Sequence, residues 1–80
     1  MPYITSVRRV ALSDGYPAQS PGELNYLITE AVIRYCREGT LSYQVINDVV
    51  GALEGAKLEF YRRVAAPYED HKVIENGDVY

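Results

Sequence analysis

Tryptophan is missing from these 80 residues, and cysteine, methionine, histidine and phenylalanine each occur once. With Cys36 alone there is no disulfide to brace the chain, and its place in an apolar helical pattern fits a buried structural thiol and a reducing compartment. With His71 alone the usual zinc set is incomplete, so Glu69-Asp70-His71 reads as solvated charge or a helix-end cap, and neither a metal nor a cofactor is expected. No run approaches the roughly 18 consecutive apolar residues of a membrane span. The opening Met1-Pro2-Tyr3-Ile4 is unlike the charged-then-apolar plan of a secretion signal, and a cytoplasmic location is expected. Basic residues are outnumbered by acidic ones, eight to eleven, for a net charge of −3, which argues against a dedicated DNA or RNA binder. There is no Ser-His-Asp arrangement, glycine-rich phosphate loop or Cys-x-x-Cys pair, so the expectation is a protein that is not an enzyme.

Helical punctuation is present in quantity. Ser20-Pro21-Gly22-Glu23 places serine at an N-cap, proline at the first helical position and glutamate where it closes a capping box. From there Leu24, Leu27, Ile28, Ala31, Val32 and Tyr35 keep the spacing of one helical face. Gly39 supplies a left-handed stop, giving a first helix over roughly 21 to 38. Thr40 or Ser42 caps a second helix whose Ile46, Val49, Val50, Leu53, Ala56, Phe60 and Val64 hold the same spacing until Pro67 ends it. That helix is about 36 Å long against about 25 Å for the first, and the short connection makes the two antiparallel neighbours.

The outer segments carry weaker signals. Residues 3 to 12 keep neither period and read as an arm or short strand, followed by the loop SDGYPAQS. Asn76-Gly77, between Val73-Ile74 and Val79-Tyr80, is a two-residue turn signal for a tiny hairpin, or for a tail folded back on the arm. The expected fold is therefore mainly all-α: an arm and loop over 1–20, an antiparallel two-helix hairpin over 21–66 and a tail over 67–80, in one domain. A compact chain of this length buries only roughly 60% of its unfolded surface, so homo-oligomerisation is expected to complete the core. Eight tyrosines suit such interfaces and ligand pockets.

Two places invite a functional reading. Gly51-Ala52-Leu53-Glu54-Gly55-Ala56 puts two glycines inside a helix, each costing about 1 kcal/mol relative to alanine. A close-packed partner at Gly51, Ala52, Gly55 and Ala56 would offset that cost, whether the chain's own first helix or a symmetry mate. Arg62-Arg63 with Lys57 one turn upstream, joined by Arg8-Arg9 if the arm docks, would form an anion site on which Tyr3, Tyr61 and Tyr68 stack. The alternative is ordinary surface pairing, Glu59 with Arg62 and Arg63 and Glu30 with Arg34.

The stretches Leu24-Asn25-Tyr26-x-Ile28-Thr29, Gly51-Ala52-Leu53-Glu54-x-Ala56-Lys57-Leu58-Glu59-Phe60-Tyr61-Arg62-Arg63-Val64, Pro67-Tyr68-Glu69-Asp70 and Glu75-Asn76-Gly77-Asp78-Val79-Tyr80 resemble a family of short uncharacterised proteins of tailed phages, prophages and other prokaryotic genomes. The resemblance covers roughly residues 22 to 80 and implies a genomic setting without catalytic residues. At the level of size and shape, Arg63-Val64-Ala65-Ala66-Pro67 is also similar to the end of the second helix in phage proteins that sequester cyclic-nucleotide immune signals. Two functions follow as expectations. One is a homo-oligomeric binding protein holding a nucleotide or other anionic small ligand. The other is an assembly factor engaging a protein partner through residues 67–80.

Overall fold

A computed structural model describes residues 4–80, all of their regular structure helical, and the chain divides into two compact units, Met1–Leu41 and Ser42–Tyr80. The first unit holds α1 (Ser6–Ser13) and α2 (Pro21–Arg37). The second holds α3 (Tyr43–Phe60), a π-helical turn (Tyr61–Ala65) and α4 (Ala66–Asn76), which follow one another without a break.

The expected arm is instead a helix with complete caps, its first residues, Tyr3 included, lying outside the described range. Thr5 at the N-cap accepts a hydrogen bond from the Arg8 amide. At the other end Gly15, at φ 99°, turns the chain so that its amide reaches the Leu12 carbonyl and the Tyr16 amide the Ala11 carbonyl. This paired closure is the Schellman ending, and the SDGYP loop signal was a helix stop. Ile4 and Leu12 are buried, Arg8 and Ala11 half-buried, and Val7 and Val10 exposed. The inward stripe is therefore Ile4, Arg8, Ala11 and Leu12 at helical spacing, with an arginine in an inward slot.

α2 starts as its sequence dictates: Ser20 accepts from the Glu23 amide, with Pro21 behind it. The capping box is displaced by one residue, because the Glu23 carboxylate accepts from the amide of Gln19. The helix ends at Glu38 without a left-handed residue, since Gly39 does not take positive φ. Glu23, Tyr26, Leu27 and Glu30 are half-buried on its inner side, whereas Leu24, Ile28 and Tyr35 are exposed.

Ser42 caps α3 by accepting from the Val45 amide. The helix does not stop at Pro67. Inside an α-helix a proline ring collides with the carbonyl four residues back and lacks the N–H that would bond to it. Here the turn ahead of the proline widens, the Ala66 amide bonding to the Tyr61 carbonyl five residues back, and the helix continues past Pro67. It ends at Gly77, at φ 84°, whose amide returns to the Val73 carbonyl. Asn76-Gly77 is thus a C-cap, and no hairpin forms between Val73 and Val79. From Tyr43 to Asn76 the rod is about 50 Å long.

Candidate functional site

Of the cations that sequence assigns to an anion site, Arg8, Lys57, Arg62 and Arg63 are each engaged by a carboxylate, and Arg9, among the described residues, is not. In the first unit the Arg8 guanidinium makes a two-pronged bond to Glu23, 2.8 and 2.7 Å, the planar geometry that makes arginine–carboxylate pairs strong. Arg8 and the Gln19 amide together hold the Glu23 carboxyl down from an ordinary 4.5 to about 2. Arg8 therefore ties α1 to the start of α2. Arg9 is exposed. Between the same two helices runs a shallow groove floored by Leu12, Tyr26, Leu27 and Ala31, with Glu30 and Arg34 at its edge. Among the described residues Glu30 and Arg34 form no ion pair with each other, contrary to the helical spacing.

In the second unit Lys57 reaches Glu54 at 3.5 Å and Arg62 reaches Glu59 at 2.8 Å. Arg63 bonds to the same Glu59 carboxylate. Two guanidiniums sharing one carboxylate leave a unit of positive charge at that point, and both arginines are about seven-tenths exposed. Tyr61 donates its hydroxyl to both Glu69 oxygens, 3.0 and 3.2 Å, and this acceptor raises its pKa. Eight positions make two α-turns plus one extra residue, so the wide turn is what brings Tyr61 and Glu69 onto one face. Further along, the Lys72 ammonium stands 5.7 Å over the Tyr68 ring, while Lys72 and His71 each pair with Glu75 at 3.1 Å. Lys57, Tyr61, Arg62, Arg63 and Tyr68 therefore occupy one stretch of helix, each with a partner on that helix or, for Tyr68, a neighbouring cation. Cys36 is half-buried in α2, and among the described residues no three His, Cys, Asp or Glu side chains gather as a metal site.

The long helix buries none of its side chains. Ile46, Val50, Leu53, Phe60 and Val64 form a ridge along it, between 43% and 62% exposed, with Lys57 in the remaining slot. At about 100° per residue, Gly51 and Gly55 fall on the far side of the helix from Leu53. A Cβ built on either would meet nothing within 4 Å.

No helix among the described residues is long and apolar enough to cross a membrane. A family model described as Domain of unknown function (DUF6899) matches residues 1–79. No curated protein and no solved structure matches the chain.

Proposed function

The chain belongs to this family, whose description names no activity, and from its own residues we propose a non-enzymatic, homo-oligomeric binding protein assembled through its long helix. The observation that carries the reading is the exposed ridge from Ile46 to Val64 on a helix that buries no side chain. Helices in proteins owe most of their stability to packing of an apolar face, and an apolar strip of this length in water is a contact surface awaiting its counterpart. The paired arginines beside Tyr61 are the ligand-facing part of the proposal. Their surplus positive charge suits a phosphate-bearing small molecule; a nucleotide signal is the specific form taken from the likeness in size and shape, and the phage or mobile-element setting comes from the motif resemblance.

Sedimentation across a range of concentrations tests the assembly, and titration calorimetry with cyclic and linear nucleotides tests the ligand. A concentration-dependent oligomer that takes up a nucleotide supports the whole reading. An oligomer silent to every nucleotide removes the ligand, and a monomer at all concentrations removes the assembly. A second reading, docking of a protein partner on the C-terminal segment, is favoured by Val79 and Tyr80, fully exposed beyond the end of α4. Deleting 78–80, which keeps the Gly77 cap, would then abolish partner capture and leave the helical signal intact.

A further inference from the structure

Resting on that self-association reading, we infer that the ridge of the long helix takes a second copy of the same helix, running antiparallel and centred near Gly55. The ridge positions 46, 50, 53, 57, 60 and 64 are separated by 4, 3, 4, 3 and 4 residues, a series that reads the same from either end. Turned end for end about residue 55, Ile46 of one copy faces Val64 of the other, Val50 faces Phe60, and Leu53 faces the stem of Lys57. Such a contact is isologous and closes on itself, as a two-fold dimer requires.

Size and charge select this direction over the parallel one. Antiparallel pairing sets the smaller Val50 against the larger Phe60, so that the ridge interlocks. It also brings each Lys57 beside the partner copy's Glu54, one position from the direct match. A parallel pair in register would put Phe60 against Phe60 and Lys57 against Lys57, a like-charge contact along the seam. The helix carries acidic and basic groups side by side, Glu54 with Lys57 and Glu59 with Arg62 and Arg63, so its flank is complementary to itself. Gly51 and Gly55 lie on the opposite side and take no part in this seam.

The test uses the full chain carrying Cys36→Ser, with Ile46→Cys in one preparation and Val64→Cys in another, mixed and oxidised at concentrations where sedimentation shows association. The seam brings positions 46 and 64 of different copies within disulfide reach, so the expected product is the mixed cross-linked dimer, at least about tenfold above either homodimer. Cross-linking of 46 to 46 and 64 to 64 would show parallel copies and overturn the inference while leaving self-association standing. An associated species with no cross-link would overturn the seam. A monomer in sedimentation would overturn both this inference and the function it rests on. As a check independent of cysteine, Lys57→Glu and Glu54→Lys should each weaken association about tenfold and recover it on mixing. Each chain alone carries a like-charged pair, so recovery reports a contact between copies, and its absence would overturn the pairing.

Discussion

Arg8 holds an inward position in a helix of eight residues, and that single feature hides the helix from a reading of its sequence. Hydrophobic spacing fails there because the inward slot between Ile4 and Leu12 is charged, while two valines that would strengthen a strand reading point to water. The charge is tolerable because Glu23 meets it in a two-pronged bond. The consequence is an acid-side pH dependence that arises in the first unit. The Glu23 carboxyl sits at about 2 in the folded chain against an ordinary 4.5, so the unfolded chain binds the proton more readily, and folding is favoured by ionisation. That contribution is complete above about pH 5 and is lost as pH falls through the window from 4.5 to about 2. Denaturant unfolding followed at pH 7, 4 and 2.5 should show it, and Glu23→Gln should flatten the curve in that window while lowering stability at neutral pH.

At the scale of the element, caps were legible and interruptions were not. Ser20 and Ser42 each accept from the amide three residues on, as their positions before apolar periodic stretches dictate. Pro67 reads as a stop because the rule assumes a uniform α-turn. A turn one residue wider removes the collision, and no local residue type announces it. Gly77 likewise carries a turn signal that serves equally well as a helix end. Pro67→Ala removes the reason for the wide turn. The segment from Tyr61 to Ala65 should then tighten toward α geometry, which carries Glu69 off the face of Tyr61. Amide exchange by NMR would read this as stronger protection at residues 63 to 67, with loss of the Tyr61–Glu69 hydrogen bond. Unchanged exchange would mean that the wide turn is held by something other than the proline.

For the molecule as a whole, the division into 1–41 and 42–80 cuts across the helical hairpin that spacing suggested. Two buried side chains, Ile4 and Leu12, are the full extent of the core among the described residues, and both belong to the first unit. Length and the surplus of apolar residues are what led to the expectation of an external contact. The face for such a contact was not readable, because the paired glycines, where an added Cβ would meet nothing within 4 Å, lie on one side of the helix and the apolar ridge on the other. Gly51→Ala with Gly55→Ala decides between the two faces. If the ridge is the seam, each change should raise helix stability by about 0.5–1 kcal/mol, increase the melting temperature and leave the association constant as it was. A loss of association would assign the contact to the glycine side. The wide turn has one more consequence, for the chain's arithmetic. It stores one residue of slack, so deleting a single residue between Tyr61 and Ala65 together with Pro67→Ala yields a plain rod in which neither half rotates against the other. Anywhere else in the long helix, the same deletion would swing every later side chain about 100° around the axis.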